Sequence, residues 1–248
     1  MIIKKNLTLV LIFCVSLCFC QKHGKAYYIK KSSDAFEREL DSLNRQHPNS
    51  PLKSLKKTIN DLNFTLTFNS DIAVYKESEA MGNDLDNSTS KELAKILSGY
   101  SGPTYYNFQD KRITFKKDIA GNIFLVTKQF SDYNWKLTKE KLIINNLTCY
   151  KAKTVITKEG RNGKIQALIT AWYTTDISIS AGPDGYAGLP GLIIQIEDGK
   201  FITVLDKIEF EKNKTLKIQY PKKGQKISEN DFNALMKKFE NDRNARSN

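Results

Sequence analysis

The feature that most constrains the fold is a long succession of short stretches, from Tyr105 onward, in which apolar and polar residues alternate. Successive side chains of a β-strand point to opposite faces, so a strand with one buried face gives this alternation. Asn162-Gly163 and Asp198-Gly199 separate such stretches and are typical of two-residue hairpin turns, and Ala120-Gly121-Asn122 is a weaker example. Short turns join antiparallel neighbours. The pattern therefore predicts one large antiparallel sheet.

Helical periodicity appears before, within and after this region. Residues 33–47, 52–62 and 90–97 place apolar side chains three or four positions apart. Residues 228–243 carry an apolar stripe suited to covering a sheet, made of Phe232, Leu235, Met236 and Phe239. We therefore expect an α+β fold, with one large, curved antiparallel β-sheet, helices packed on one side and a C-terminal amphipathic helix.

The first twenty residues are typical of a secretory signal peptide rather than of a transmembrane helix. Two lysines precede the apolar residues 7–19, which are fewer than the roughly 20 needed to span a bilayer core. Cleavage after Cys20 would put small residues, Cys18 and Cys20, at the −3 and −1 positions and leave Gln21 as the new N-terminus. A second interpretation, lipidation of Cys20, stays open, although the bulky Phe19 precedes it. No transmembrane helix is expected in the mature protein.

The chain beyond the leader has a length suited to a single domain. We expect a helical N-terminal segment over residues 21–62 and a β-rich domain with a C-terminal helix over residues 63–248. Cys149 is the one cysteine outside the leader, so no intramolecular disulfide is predicted. It lies in an alternating stretch with no histidine nearby, which predicts a small buried residue rather than a nucleophile.

Motifs for catalysis and for metal or cofactor binding are absent or incomplete. His23 and His47 both precede the sheet and lack ligand spacing, so neither a catalytic triad nor a zinc site is predicted. The chain has no P-loop and no dinucleotide-binding motif. Carboxylate pairs such as Asp206 and Glu209 leave a hydrolase open, but their distance in space decides that. We assign no catalytic residue, no metal ligand and no cofactor.

The net charge of +12 comes mainly from lysines spread along the whole chain. Nucleic-acid-binding proteins tend to cluster arginines and aromatic residues on one face. Dispersed lysines are typical of a solvated surface instead. No nucleic-acid partner is therefore expected.

Two groups of residues carry a family resemblance. The first is the hexapeptide Gly188-Leu189-Pro190-Gly191-Leu192-Ile193, preceded by Gly182-Pro183 and by Trp172-Tyr173-Thr174. The second lies upstream and comprises Trp135, Leu137, Ile144, Cys149, Lys151 and Ala152. Together they resemble, over residues 60–211, the GLPGLI family, which is named for the hexapeptide. The resemblance implies an exported protein, periplasmic or envelope-associated, of a Gram-negative bacterium, with no assigned activity.

The hexapeptide itself is interpreted as a structural corner. Gly188 and Gly191 can adopt positive φ angles, and Pro190 fixes its own φ and extends the residue before it. The apolar residues would then enter the core, with a strand over residues 192–196. The alternative is a ligand gate, in which the glycines let a ligand approach the backbone.

Three functions stay open, and the two non-enzymatic ones are preferred. The first is an envelope protein that binds an apolar or lipid ligand in the hollow of its sheet, by analogy of fold with periplasmic carriers of lipids and lipoproteins. The second is a structural or protein-interaction module of the envelope, and the third is a carboxylate-based hydrolase. An apolar cavity would favour the first, a closed core with an exposed patch the second, and two carboxylates facing each other in a cleft the third. No ligand-binding residue is assigned.

Overall fold

A computed structural model describes residues 23–47, 52–78, 88–160, 163–211 and 216–246 of the chain. The predicted leader, with its cleavage site at Cys20 and Gln21, lies outside these residues. So does Asn162 of one predicted turn.

β-Strand is the commonest secondary structure in the described chain. The strands are β1 Gly24–Ser32, β2 Asn63–Phe68, β3 Ile72–Glu77, β4 Thr104–Asn107, β5 Arg112–Ile119, β6 Asn122–Gln129, β7 Lys136–Ile144, β8 Leu147–Gly160, β9 Gly163–Thr174, β10 Leu192–Glu197, β11 Phe201–Phe210 and β12 Gln225–Ser228. The helices are α1 Asp34–Gln46, α2 Leu52–Asn60, α3 Ser88–Leu97 and α4 Glu229–Arg246. Two short 3-10 turns cover Phe130–Tyr133 and Pro183–Gly185.

These twelve strands form one large open sheet in the order β12-β6-β5-β4-β3-β2-β1-β11-β10-β9-β8-β7. All neighbouring pairs are antiparallel except β12 and β6, which are parallel. The predicted antiparallel sheet is therefore confirmed in its main character. The segment predicted to be helical, residues 21–62, does contain α1 and α2, but it begins with β1, which lies in the middle of the sheet between β2 and β11.

The predicted hairpins join neighbouring strands. Ala120 and Gly121 both have positive φ angles between the paired residues Ile119 and Asn122, which suits the right-handed twist of a hairpin. In the β10–β11 hairpin the Asp198 carboxylate accepts hydrogen bonds from two amides that follow it, while Gly199 has a φ of +87°. The β8–β9 hairpin is also present, with strand pairing that extends to its described ends.

The sheet is curved, as the position of the turn that follows β6 shows. β6 and β8 lie near opposite ends of the strand order. The 3-10 turn that follows β6 nevertheless meets β8, where the Thr154 hydroxyl donates to the Tyr133 carbonyl oxygen. The curvature creates a hollow on one face of the sheet.

The C-terminal helix covers one end of the sheet. Phe232 is buried and packs edge-on against the Phe124 ring, with centroids 5.5 Å apart. Leu235 and Met236 pack partly buried against the same cluster. Phe239, the fourth residue of the predicted stripe, is instead 49% exposed, because it lies a full turn beyond the contact with β6. No helix in the described part of the chain is long and apolar enough to cross a membrane.

Candidate functional site

The hexapeptide lies at the end of the segment that connects β9 to β10. We call residues 175–193 the corner loop. Aromatic side chains from distant parts of the chain donate hydrogen bonds to its backbone carbonyl oxygens. These are Tyr28 to Ile193 (2.7 Å), Tyr106 to Gly182 (2.6 Å), Tyr133 to Gly185 (2.8 Å) and Trp135 to Ala187 (2.8 Å). Because these donors come from β1, from β4 and from the segment after β6, the corner loop occupies the hollow of the curved sheet.

Several glycines of the corner loop are required by close contacts. A Cβ atom on Gly191 would collide with the carbonyl oxygen of Thr174, and one on Gly185 would collide with the Phe115 ring. Gly188 has a φ of +93°, as predicted, and its Cβ would lie 2.8 Å from the Phe130 carbonyl oxygen. Gly191 has a φ of +157°, close to extended backbone, so the approach of Thr174 is the stronger reason for glycine there.

The apolar residues of the hexapeptide enter the core. Leu189, Leu192 and Ile193 are at most 1% exposed, whereas Gly188 and Pro190 lie at the surface. Of the residues that precede the hexapeptide in the resemblance, Gly182, Pro183, Trp172 and Tyr173 are buried. This is the geometry of a packed corner.

A buried ion pair lies at the centre of the corner loop. The ammonium of Lys30, a residue that is 1% exposed, donates to Asp184 Oδ1 at 2.9 Å and to the Ser98 carbonyl oxygen at 3.1 Å. The Thr203 hydroxyl donates to Asp184 Oδ2 at 2.9 Å, and the Tyr75 hydroxyl lies 3.4 Å from Oδ1. Both charges are therefore compensated inside the protein, as burial requires.

Sequence reasoning missed this pair. The available signal was that Lys30 follows Ala26 and Tyr28 at the period of two that marks the inward face of a strand. Asp184 lies between a proline and a glycine. The φ angle of Asp184 itself is 55°, a conformation that aspartate tolerates. The sequence therefore marks a turn there, but it does not show that the carboxylate points into the core.

A polar cavity of about 120 Å³ opens beside this ion pair. Its lining includes Tyr75, Tyr100, Thr104, Lys117, Asp184 and Glu229. Burial lowers the pKa of the Lys117 ammonium, an effect that the nearby Glu229 opposes. Burial also raises the pKa of the Tyr75 hydroxyl, with Asp184 acting in the same direction. The lining is polar rather than apolar.

A larger groove, of about 1000 Å³, runs between three parts of the structure. Residues 127–134 at the end of β6, the β8–β9 hairpin and the first turns of α4 form its walls. Lining residues from all three include Gln129, Asn134, Thr157, Asn230 and Asn233. We call this space the side groove.

Asp184 and Glu229 line the same cavity, which is the arrangement named above as favouring a hydrolase. Each, however, has a lysine partner: Lys30 at 2.9 Å from Asp184 and Lys128 at 2.9 Å from Glu229. Both carboxylates are therefore already engaged in ion pairs. Of the pairs considered from sequence, Asp206 is exposed, and Glu209 has its pKa lowered by hydrogen bonds from Lys207 and Tyr27.

Cys149 is buried and free. Its Sγ lies 3.5 Å from the Leu147 carbonyl oxygen, and burial raises the pKa of its thiol to about 11. A nucleophilic cysteine requires the opposite shift. Among the described residues, no cluster of three or more metal-binding side chains occurs.

Comparisons with known proteins support the fold and leave activity open. A family model described as a protein of unknown function (Porph_ging) matches residues 157–195, which include the hexapeptide. No curated protein matches the chain. Among solved structures, the chain is similar to PNGF-II in space groups C2 and P21, with a TM-score of 0.52 and 14% or 13% identity. The match covers 86% of this chain but only 32% or 33% of those chains. The chain thus spans about a third of their length, and at this identity the likeness concerns the fold alone.

Proposed function

We propose that this protein is a non-enzymatic interaction module of the bacterial envelope, which binds an extended segment of a partner protein in the side groove. In this proposal the chain is an exported protein of the GLPGLI type, residues 1–20 form its leader, and its helices pack on one side of the sheet. The observation that carries the proposal is the filled hollow. Since the corner loop occupies the hollow, we place the ligand in the side groove, which is a large free volume between described residues.

The lining of the side groove suits a polypeptide backbone. Every peptide unit other than proline's offers one N–H donor and one C=O acceptor. The groove is lined by side chains that can both donate and accept hydrogen bonds. They are the amides of Gln129, Asn134, Asn230 and Asn233 and the hydroxyl of Thr157. Val155, Ile156 and Ala234 add apolar surface between these polar groups. The volume reaches the upper end of the range for small-molecule sites, which leaves room for several residues of a partner.

The exposed surface next to the side groove also favours a partner protein. Val155 and Leu168 are paired across the β8–β9 hairpin, so they lie on the same face of the sheet, and each is more than half exposed. Large apolar side chains concentrated in one region mark interaction sites more often than single ones do. In the solved structures that match, the same fold makes up about a third of a longer chain, which is compatible with the role of a module.

The other two functions receive less support. A lipid ligand in the hollow would have to displace the corner loop, and the lining of the cavity beside Asp184 is polar. Mass spectrometry of lipids that co-purify with the protein from its native envelope still tests that hypothesis. A hydrolase would need at least one carboxylate of the cavity without a lysine partner.

The proposed function can be tested by photo-crosslinking in the native envelope. A benzophenone amino acid replaces Thr157 in the side groove or, as a control, Thr148, which is also exposed and lies on the same strand outside the groove. We expect a discrete protein adduct from position 157 and none from position 148. Equal adducts at both positions, or a lipid adduct at 157, would contradict the proposal.

A further inference from the structure

The polar cavity beside Asp184 has an unbalanced charge. Two of the charged side chains in its lining, Asp184 and Glu229, are paired with Lys30 and Lys128. The third, Lys117, lies with its ammonium 5.1 Å from the centre of the Phe232 ring and makes no salt bridge to any residue that the structure describes. The charges in and next to the cavity therefore sum to about one positive charge. A bound anion would balance it.

Hydrogen-bond donors line the same cavity as this ammonium. Thr104, which is 4% exposed, and Ser101 contribute hydroxyl groups, and Asn233 contributes an amide. The Tyr100 hydroxyl accepts from the Glu77 amide at 3.0 Å, so its own proton is available to another acceptor. Such a set of donors suits a carboxylate, because charge-assisted hydrogen bonds are among the strongest in proteins.

The lining of the cavity also offers an acceptor. Asp184 receives the ammonium of Lys30 and the hydroxyls of Thr203 and Tyr75. A carboxylate accepts about four hydrogen bonds, so one position is left for a donor from a ligand. A volume of about 120 Å³ corresponds to about four waters at roughly 30 Å³ each.

We propose that this cavity binds a small hydroxy-carboxylate, whose carboxylate lies against Lys117 and whose hydroxyl donates to Asp184. The size of the cavity limits the ligand to molecules such as glycolate. The cavity adjoins the side groove, because Glu229 and Asn233 line both, but Lys117 and Asp184 line the cavity and not the groove. A ligand held by Lys117 and Asp184 needs no partner protein. Glycolate binding and crosslinking at Thr157 therefore succeed or fail independently.

The test is an amide NMR titration of the complete protein with sodium glycolate, with sodium chloride as the control for ionic strength. We expect saturable shifts of the amides of Ser101, Gly102, Asp184 and Gly185, and weaker binding of sodium acetate, which lacks the hydroxyl. Absence of saturable shifts in the unaltered protein would overturn the site. Equal binding of acetate and glycolate would overturn the contact with Asp184.

A pair of neighbouring lysine variants identifies the residue that binds the carboxylate. Lys117→Met removes the ammonium at the cavity, and Lys116→Met removes the same charge from the adjacent residue of β5, outside the lining. We expect at least a tenfold loss of glycolate affinity in Lys117→Met and none in Lys116→Met. An equal loss in both variants would show a general effect of charge and would contradict the proposal.

Discussion

The corner loop and the far end of the sheet place similar apolar side chains in opposite environments. In the corner loop, Leu189, Leu192 and Ile193 are at most 1% exposed. We call strands β7–β9 the sheet arm. Six of its large apolar side chains are between 48% and 73% exposed, namely Leu137, Leu142, Ile143, Val155, Ile165 and Leu168.

The two regions differ in how their backbone peptide groups find hydrogen-bond partners. Loops normally stay at the surface because their peptide groups need partners. The corner loop can be buried because three tyrosines and a tryptophan donate to its carbonyl oxygens. The sheet arm pairs its peptide groups with neighbouring strands, except along the outer edge of β7. The exposed side chains of the arm can contact other molecules.

The largest expected difference between the two regions concerns their ion pairs. Asp184→Asn leaves the Lys30 ammonium buried without a counter-charge, and removal of one partner of a buried pair costs about 3–5 kcal/mol. The control is Glu140→Gln in the sheet arm, whose carboxylate contacts Lys151 at 2.7 Å and is 55% exposed. We expect no measurable change there. Urea unfolding measures both, and equal small effects would contradict the comparison.

Glycine substitutions sharpen the same comparison. In Gly191→Ala the new methyl group meets the Thr174 carbonyl oxygen, so we expect a loss of about 3 kcal/mol from overpacking. Gly199→Ala, at a turn with no atom within 4 Å of the new methyl group, should cost only about 1–2 kcal/mol from its left-handed backbone. Melting temperatures check the order. If Gly191→Ala melts normally but loses crosslinking at Thr157, the corner loop is a ligand gate.

Alkaline pH should weaken the buried region through its tyrosines. Burial raises the pKa of Tyr28, Tyr75 and Tyr106 in the folded protein, so above about pH 10 they ionise only after unfolding. The unfolded chain then binds fewer protons than the folded protein. Stability present below pH 10 is therefore lost as the pH rises, by up to about 1.4 kcal/mol per pH unit for each tyrosine. A constant free energy of unfolding from pH 9 to 11 would contradict burial of these hydroxyls.

The smallest effects should come from the apolar side chains of the sheet arm. Leu168→Ala removes a side chain that is 56% exposed, and we expect a change in unfolding free energy within about 0.5 kcal/mol. Leu192→Ala, which empties a fully buried position, should cost about 2–5 kcal/mol. Comparable losses in the two variants would mean that the sheet arm is covered in solution.

Each feature that the sequence predicted correctly depends on residues that are close to one another along the chain. Alternation of apolar and polar residues predicted the strands, and Asp198-Gly199 and Ala120-Gly121 predicted two turns. The spacing of Phe232 and Met236 predicted the C-terminal helix. Gly188 was predicted to allow a positive φ, which the structure confirms.

The features that were missed depend on contacts across the chain. Lys30 and Asp184 are 154 residues apart, so neither position reveals its partner. β1 was overlooked because Lys30 occupies one of its inward positions, where a period of two is expected to show an apolar residue. The parallel pairing of β12 with β6 joins strands about 100 residues apart, and turn chemistry predicts only neighbours.

Amide hydrogen exchange tests the central claim, that the corner loop is part of the core, most directly. The Leu192 and Ile193 amides donate to the carbonyl oxygens of Ile177 and Ala181 at 3.0 Å, and the Gly185 amide donates to the Tyr106 hydroxyl at 3.1 Å. We predict that these three amides exchange only through global unfolding, with the same opening free energy as the centre of β1. Opening free energies close to zero, as in mobile loops, would contradict the account and would identify the hexapeptide as a gate.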